Sequence, residues 1–318
     1  MIELGYSLSS EEHSPERLVN YAHQAEEVGF SFALISDHFH PWIDRQGQSP
    51  FVWNVIGGIS QTTRRLQLGT GVTCPLIRIH PAIIAQAAAT SAAMMPGRFF
   101  LGVGTGENLN EHILGDHWPP ADVRQEMLEE AVEVIRLLWK GGVQSHRGRY
   151  YTVENAQIFT LPKELPPIMV AASGPESLKM AGRIGDGLIS TAPDAKLVET
   201  FKKSGGEGKP IYGQFTVCWA RTEQEALRIA QEWWPTAAVK GALSTELPLP
   251  SHFEDAASNV TEDQVAEGIL CSPDPQRYLA KVQEYADAGF DHVYIHQVGP
   301  DQEGFFQFFN RELRPKLS

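Results

Sequence analysis

The sequence has few cysteines and no apolar run long enough to cross a membrane. Its three cysteines, Cys74, Cys218 and Cys271, are an odd number at wide spacing, which fits neither a disulfide framework nor a zinc-binding pattern. The longest apolar stretches fall far below the roughly twenty residues that span a bilayer, and the N-terminus lacks a basic start followed by an apolar run. We therefore expect a cytoplasmic protein with free thiols and no bound metal.

Basic residues are also scarce relative to acidic ones. The chain has 26 lysine and arginine residues against 39 aspartate and glutamate residues, which gives a formal net charge of -13 at pH 7. Nucleic acids and anionic membrane surfaces repel such a protein at long range. A small-molecule substrate is the expected partner, and any anionic ligand would need a locally basic pocket.

The first 35 residues contain one strand, helix and strand unit. Ser14 and Pro15 are typical of a helix start, with serine as the capping residue and proline at the first helical position. Apolar residues then recur at helical spacing until Gly29, which ends the helix. Short apolar strands at 2–6 and 32–35 flank this helix.

The same alternation continues along the chain and favours a parallel sheet. The predicted strands are 2–6, 32–35, 66–70, 99–103, 167–172, 187–190, 212–219 and 293–295. The other predicted helices are 51–64, 81–94, 122–138 with Asp122 as its cap, 175–183, 195–203, 222–234, 274–289 and 301 to the end. Eight such strands close a barrel better than they form an open sheet, and no linker divides the chain.

The sequence therefore predicts an α/β protein, a single (β/α)8 TIM barrel over residues 1–318. Residues 147–157 are predicted to form a small hairpin excursion. Residues 235–260 lack clear periodicity and are interpreted as an added loop or helical lid near the mouth of the barrel.

Polar residues follow the second predicted strand, where the loops of such a barrel face one cavity. Asp37, His38, His40 and Trp42 place a carboxylate, two imidazoles and an indole at one rim. These residues fit a functional site and a structural Asp37–His38 hydrogen-bonded pair, with Trp42 packed on the rim, equally well.

Alternating glycines follow the fourth strand. Gly102, Gly104 and Gly106 would let a flat ring or a phosphate approach the backbone, although glycine-rich turns are common in any protein. The pattern is not a dinucleotide fingerprint, because the polar segment 108–110 replaces the immediate helix. Glu107 is placed to exchange a proton with a bound ring.

Two further loops have weaker signals. Residues 71–75 are small or β-branched and suit a bulge against a planar cofactor, or a plain loop. Ala172, Ser173 and Gly174 lead directly into a helix whose N–H groups could hold a phosphate, or form an ordinary cap.

The residues also allow two other classes of protein. The spacing of His38 and His40 can ligate zinc, as in a metal-dependent hydrolase, but the fifth and sixth strands end without histidine and Gln297 follows His296. A non-catalytic binding subunit is disfavoured by the joint presence of His38, Trp42 and Glu107.

Three segments together resemble the luciferase-like superfamily and, within it, the coenzyme F420-dependent glucose-6-phosphate dehydrogenase family. They are Ser36-Asp37-His38-Phe39 with Trp42, Gly104-Thr105-Gly106-Glu107 with Asn110, and Ala181-Gly182-Arg183-Ile184-Gly185-Asp186-Gly187. The resemblance covers essentially the whole chain. It implies an oxidoreductase that exchanges a hydride at C5 of the deazaflavin F420, and a homodimer. An FMN-dependent monooxygenase or reductase on the same barrel is the alternative.

The resemblance also implies roles for individual residues. His38 would be the base that takes the substrate hydroxyl proton, Glu107 the acid that protonates the reduced ring, and Trp42 a side chain that steadies the charged intermediate. The cofactor-contacting positions would be Asp37, Gly71, Val72, Cys74, Asn110, Ala172, Ser173 and Gly174, with a non-prolyl cis peptide at the Gly71-Val72 bulge.

The substrate region departs from the family pattern. Members that act on sugar phosphates carry a lysine shortly after the sixth strand, where this chain has Thr191 and then Asp194. An aspartate repels a phosphate, and Glu267 stands where a phosphate-binding protein would be expected to carry a cation. With Thr191 and Asp194 as substrate-binding residues, we expect a neutral alcohol or sugar, or reduction of a small organic acceptor, rather than glucose 6-phosphate.

Overall fold

The computed structural model describes residues 2–317 and is built around a closed barrel of parallel strands. In chain order the strands are β1 (Glu3–Leu8), β2 (Phe32–Ile35), β3 (Gln67–Thr70), β4 (Phe99–Val103), β5 (Gln144–Arg147), β6 (Thr152–Ala156), β7 (Ile168–Ala171), β8 (Gly187–Ser190), β9 (Ile211–Cys218), β10 (Ile269–Cys271) and β11 (His292–Gln297). The barrel order is β1, β2, β3, β4, β7, β8, β9 and β11, and β11 pairs back onto β1. These are the eight predicted strands, so the predicted (β/α)8 class is confirmed.

Helices surround the barrel and continue into the loops. They are α1 (Pro15–Val28), α2 (Val52–Thr62), α3 (Pro81–Met94), α4 (Asn108–Glu111), α5 (Ala121–Leu138), α6 (Pro175–Ile184), α7 (Ala195–Phe201), α8 (Glu223–Trp233), α9 (Leu243–Glu246), α10 (Pro250–Ala257), α11 (Glu262–Ala266), α12 (Pro275–Ala288), α13 (Gln302–Phe308) and α14 (Arg314–Leu317). Within residues 2–317, none of these helices combines the length and apolar character of a membrane span.

Helix ends follow the sequence signals in α1 but not in α5. The Ser14 hydroxyl accepts a hydrogen bond from the Arg17 backbone N–H, and Gly29 ends α1 with a left-handed φ of 100°. The prediction that Asp122 caps the next long helix is wrong, because α5 begins at Ala121 and Asp122 lies in its first turn. The acidic side chain still suits that position, since the first turn carries the positive end of the helix dipole.

The interior of the barrel is apolar in its middle and polar toward the C-terminal ends of the strands. Residues two apart on a strand share a face, and the inward faces of the strands contribute one buried apolar cluster: Phe32, Leu34, Phe100, Met169, Ile189, Tyr212 and Tyr294. Gly69 leaves room for it, because a Cβ atom there would lie 2.0 Å from the Phe100 ring. Further along the same inward faces come Gln214, Thr216 and His296, which face the mouth.

Short additions complete the chain. The predicted excursion at 147–157 is an antiparallel hairpin of β5 and β6. The three-residue strand β10, which the sequence did not predict, pairs with the C-terminal end of β9, as Ile269 does with Thr216. Residues 235–260, interpreted as a loop or lid, contain α9 and α10.

Candidate active site

A cavity of about 320 Å³ opens at the C-terminal ends of the strands. Its lining brings together residues from the loops after β1, β2, β3 and β4, the inward faces of β9 and β11, and the segment that contains α9 and α10. The predicted site residues that line it are Asp37, His38, Trp42, Gly71, Val72, Cys74, Glu107 and Asn110. Those outside its lining are Ala172, Ser173, Gly174, Thr191 and Asp194.

The two nitrogens of His38 have different surroundings. Nδ1 lies 3.1 Å from the carbonyl oxygen of His40, and Nε2 lies 3.3 Å from Glu11 Oε1. Both of these oxygens only accept hydrogen bonds, so a protonated ring can donate to both of them and a neutral ring to one of them. His38 thus has an oxygen acceptor beside each of its ring nitrogens.

Glu11 is held in place by two serines. Its Oε2 accepts hydrogen bonds from Ser9 Oγ at 3.0 Å and Ser36 Oγ at 2.6 Å. Burial alone would raise the pKa of Glu11, but the nearby His38 and the bond from Ser36 outweigh it, so the pKa is lowered. The anion persists although the residue is buried.

Sequence reasoning missed Glu11 as a functional residue. The available signal was the polar run 9–13 directly after the first strand, at the end of the barrel where chemistry is expected.

Asp37 belongs to a second buried network that joins three loops. Its carboxylate accepts hydrogen bonds from Thr73 Oγ1 at 2.7 Å and Arg78 Nη2 at 2.8 Å. Arg78 also donates its backbone N–H to Glu111 Oε2 at 2.9 Å. Burial would lower the pKa of Arg78, but Asp37 and Glu111 raise it overall. The alternative of an Asp37–His38 pair is wrong, because each residue has other partners.

Glu107 lies across the cavity without a cationic partner among residues 2–317. Its Oε2 accepts one long hydrogen bond, at 3.4 Å, from Asn110 Nδ2. The Asn110 side-chain oxygen in turn accepts the backbone N–H groups of Phe39 at 2.9 Å and His40 at 3.2 Å. The Glu107 carboxyl group therefore has one long side-chain hydrogen bond, while Asn110 holds the loop after β2 in place.

The bulge after β3 has the non-prolyl cis peptide between Gly71 and Val72 that the resemblance implies. The glycines opposite it have a packing role. A Cβ atom on Gly104 would lie 2.7 Å from Val72 Cγ2, and one on Gly106 would lie 2.6 Å from Cys74 Sγ. These glycines let the loops after β3 and β4 pack together, which is a different reason from the ligand approach that the sequence suggested.

The start of α6 uses its polar groups locally. The Gly174 backbone N–H donates to Ser177 Oγ at 3.1 Å, and Pro175 has no N–H to offer. This geometry fits the ordinary cap that the sequence left open. A cofactor role for Ala172, Ser173 and Gly174 stays a prediction.

Thr191 and Asp194 have different surroundings. Thr191 lines a second cavity of about 720 Å³, which shares Gln214, Thr216 and Ala237 with the first. Asp194 lines neither cavity, because its carboxylate caps α7 by accepting the Lys196 backbone N–H at 2.8 Å.

The second cavity carries charges of both signs. Glu267 lines it and pairs with Lys240 at 2.8 Å. Arg277 and Lys281 also line it, and each pairs with a glutamate, at 2.9 and 2.8 Å respectively. These two cations weaken the case against an anionic substrate, and only the fold reveals them, because α12 brings them to the cavity from a distant part of the chain.

Aromatic side chains surround the mouth of the first cavity. The Phe253 ring, from α10, packs edge-on against Trp42 with centroids 5.1 Å apart, and Trp42 lies 5.0 Å from the His38 ring. Trp234 packs edge-on against His296 at 4.7 Å.

His40 turns away from His38. Its Nδ1 lies 2.8 Å from the Leu109 carbonyl oxygen, and its ring stacks on His112. Across residues 2–317, no group of three or more histidine, cysteine, aspartate or glutamate side chains is placed to hold a metal ion.

Comparison with known proteins agrees with this architecture. Residues 1–292 match the family model of luciferase-like monooxygenases. The F420-dependent glucose-6-phosphate dehydrogenases of Mycolicibacterium gilvum (strain PYR-GCK) and Microbacterium testaceum (strain StLB037) are 37% and 34% identical to this chain. The matches cover 99% of this chain and 98% and 97% of those proteins. An F420-dependent secondary alcohol dehydrogenase, solved with an F420-acetone adduct, superimposes with a TM-score of 0.92 at 28% identity, over 100% of this chain and 99% of that one.

The chain therefore belongs to the luciferase-like family of TIM-barrel proteins. Within that family it is a relative of the F420-dependent glucose-6-phosphate dehydrogenases over nearly its whole length. The resemblance predicted from the three sequence motifs is confirmed.

Proposed function

We propose that the protein is an F420-dependent oxidoreductase that moves a hydride between the deazaflavin C5 and the CH–OH carbon of a small alcohol or sugar-type substrate. The observation that carries this proposal is the His38–Glu11 pair, which shares one cavity with the cation-free carboxylate of Glu107. The F420-dependent relatives support the choice of cofactor.

The residues of the cavity suit a flat, polar ring system. Gly71 and Val72 offer a wall with little side chain, Gly106 adds none on the facing loop, and Asn110 and Asp37 supply polar atoms at the edge. These residues would hold F420, and Ser173 and Gly174 would hold the phosphate of its tail. When bound, F420 supplies a hydride acceptor or donor at C5.

The chain's own residues supply the proton chemistry. In the direction of oxidation, His38 Nε2 takes the substrate hydroxyl proton, and the Glu11 anion stabilises the imidazolium that forms. The Glu107 carboxyl group lines the same cavity and would be the group that gives or takes the second proton. Phe253 and Trp42 limit the access of water to this side of the cavity.

The class of substrates that we propose is wider than the one the sequence suggested. The relatives at 37% and 34% identity are glucose-6-phosphate dehydrogenases, so the comparisons do not support the exclusion of glucose 6-phosphate. Asp194 also lies outside both cavities. The proposed class is therefore a CH–OH substrate that includes sugars and their phosphates, and the homodimer implied by the resemblance stays a prediction.

The test is a titration of the purified protein with F420 and, separately, with FMN in one buffer, followed by fluorescence quenching. We expect F420 to bind at least about 100-fold more tightly, a difference of about 2.7 kcal/mol. F420 reduction is then assayed with glucose 6-phosphate, D-glucose and 2-propanol.

The variant that tests the role of His38 is His38→Asn, which removes the base and keeps a polar side chain. It should retain F420 affinity and lose about 100-fold or more in kcat. A preference for FMN would move the protein to the flavin branch of the family. Tight F420 binding with equal rates in the variant would remove His38 from the mechanism.

A further inference from the structure

The hairpin of β5 and β6 lies outside the barrel, yet one of its side chains reaches a loop of the candidate site. Tyr151 belongs to the turn between these two strands and is buried. Its hydroxyl group donates to the carbonyl oxygens of Pro75 and Leu76, at 3.4 and 3.2 Å. Cys74, the residue before them in the loop after β3, lines the first cavity. Tyr151 therefore links the hairpin to one wall of that cavity.

The turn that carries Tyr151 is fixed to α5 by one carboxylate. Glu130 accepts the backbone N–H groups of Arg149, Tyr150 and Tyr151, at 3.0, 3.0 and 2.8 Å. It also lies 3.1 Å from His146 Nε2. Burial would raise the pKa of Glu130, but these hydrogen bonds outweigh it and lower the pKa overall. The backbone from which the Tyr151 ring projects is thus held by a charged group.

The surroundings of the Tyr151 side chain keep it in place as a donor. His80, the capping residue of α3, packs edge-on against the Tyr151 ring with centroids 5.4 Å apart. Burial raises the pKa of the Tyr151 hydroxyl group far above its ordinary value. The group therefore keeps its proton, and with it the ability to donate to a carbonyl oxygen, throughout the physiological pH range.

The loop after β3 is held on both sides of this contact by Asp37, which itself lines the first cavity. The Asp37 carboxylate accepts hydrogen bonds from Thr73 at 2.7 Å and from Arg78 at 2.8 Å. Tyr151 binds residues 75–76, between these two points. The course of the loop is thus set by three hydrogen-bonded anchors, one of which comes from outside the barrel.

We propose that Tyr151 is a positioning residue for the cofactor, which holds the loop after β3 where Gly71 and Val72 can form a wall for the deazaflavin ring. This inference rests on the proposed function. Tyr151 lines neither cavity, so it acts through the loop and not by contact with a ligand. A displacement of about 1 Å between reacting groups can cost about 100-fold in rate, so an anchor at this distance affects hydride transfer.

The test variant is Tyr151→Phe, which keeps the ring and removes the hydroxyl group. We expect the dissociation constant for F420 to rise by about 5-fold, as for the loss of one neutral hydrogen bond. We expect kcat to fall by about 10-fold. The KM of the substrate should stay within about 2-fold, because the β9 and β11 side of the cavity is unchanged.

The matched control is Tyr150→Phe. Tyr150 is the neighbouring residue of the same turn, and its hydroxyl group also makes a hydrogen bond, at 2.5 Å, to Glu126 on the surface of α5. Its replacement removes a tyrosine hydroxyl group without touching the loop after β3. We expect F420 affinity and kcat to equal those of the wild type.

A second readout needs no cofactor, because the cysteines are internal probes. Cys74 lies in the loop after β3, whereas Cys218 and Cys271 lie in β9 and β10, and all three are buried. Burial raises the pKa of each thiol, so each reacts when its surroundings open. We expect iodoacetamide to alkylate Cys74 at least about 5-fold faster in Tyr151→Phe than in the wild type, with the other two rates unchanged, as measured by mass spectrometry.

The two readouts separate a positioning role from a merely structural one. Faster alkylation confined to Cys74, together with weaker F420 binding and a lower kcat, supports the inference. An equal acceleration at all three cysteines overturns it, because that pattern reports a general loss of stability. An unchanged Cys74 rate or an unchanged F420 affinity also overturns it.

Failure of the proposed function gives a different result. A wild-type protein that prefers FMN to F420 contradicts the proposed function, and the same two variants are then titrated with FMN. Weaker FMN binding in Tyr151→Phe alone, with faster alkylation of Cys74, keeps Tyr151 as the positioning residue of the ring site. Equal FMN binding in both variants and the wild type overturns that role.

Discussion

Glu11 and Glu12 are adjacent and both buried, yet their surroundings shift their pKa values in opposite directions. Glu11 faces the cavity, where His38 and Ser36 more than offset the effect of burial and lower its pKa. Glu12 faces Gly299, whose backbone N–H is 2.9 Å away, and burial raises its pKa to about 8. Neither burial nor position at a strand end decides whether a carboxylate carries charge. The partners brought by other strands decide it.

Replacement of Glu11 by glutamine should have the largest effect of the substitutions that test this comparison. The neutral amide keeps the shape but cannot stabilise a protonated His38, so we expect kcat/KM to fall by about 100-fold while F420 affinity stays within about 3-fold. Steady-state kinetics and F420 fluorescence titration measure the two. An unchanged kcat/KM in a folded variant would contradict the proposed pairing of Glu11 with His38.

Replacement of Glu12 by glutamine should change stability rather than activity. Its folded pKa of about 8 lies above the ordinary value of 4.5, so the wild-type protein loses free energy of unfolding as the pH rises from 4.5 to 8, when only the unfolded state ionises. The variant lacks this loss. We expect it to gain on the wild type by the order of 1–3 kcal/mol between pH 5 and pH 8 in urea unfolding.

Glu11→Gln serves as the control with the opposite sign. The lowered pKa of Glu11 stabilises the folded protein above pH 4.5 and ceases to do so as the pH falls through the folded value. His13 and His296 are present in both comparisons, so their titration cancels. A pH-independent difference between Glu12→Gln and the wild type would show that Glu12 is ionised in the folded protein.

Asp194→Asn should have the smallest effect. The Asp194 carboxylate caps α7 and lines neither cavity, and asparagine is an equally good capping residue. We expect the dissociation constant for glucose 6-phosphate, measured by tryptophan fluorescence, to change by less than about 3-fold, in line with a screened exposed charge. Glu267→Gln is the comparison variant within the second cavity. A 10-fold tighter complex with Asp194→Asn would restore the repulsion inferred from the sequence.

The strands, most helices and half of the candidate site were predictable because they depend on local signals. Periodicity marks the eight barrel strands, and the barrel class places the residues after β2, β3 and β4 at one mouth. His38, Trp42 and Glu107 therefore appear together in the sequence analysis and in one cavity.

The remaining parts depend on strand pairing. Glu11 gains its role from Ser36 and His38, which only the pairing of β1 with β2 brings near. In the sequence, nothing distinguishes the strand residues that line the cavity, which are Gln214, Thr216 and His296. Only the closed barrel shows that they face its mouth. The Asp194 side chain points toward the start of α7 because it caps that helix. Its position shortly after the sixth predicted strand could not show this direction.

The pairing that closes the barrel also determines when β1 can complete its hydrogen bonding during synthesis. Glu3 of β1 pairs with His292 of β11, so nearly the whole chain must leave the ribosome before the first strand gains its second neighbour. At roughly 5–20 residues per second, the separation of about 290 residues corresponds to about 15–60 s. During that interval the outer edge of β1 and the outer edge of the barrel strand made last have unpaired N–H and C=O groups that can associate with other strands. The nascent chain, more than the finished barrel, is therefore the form in which these strand edges are exposed to association.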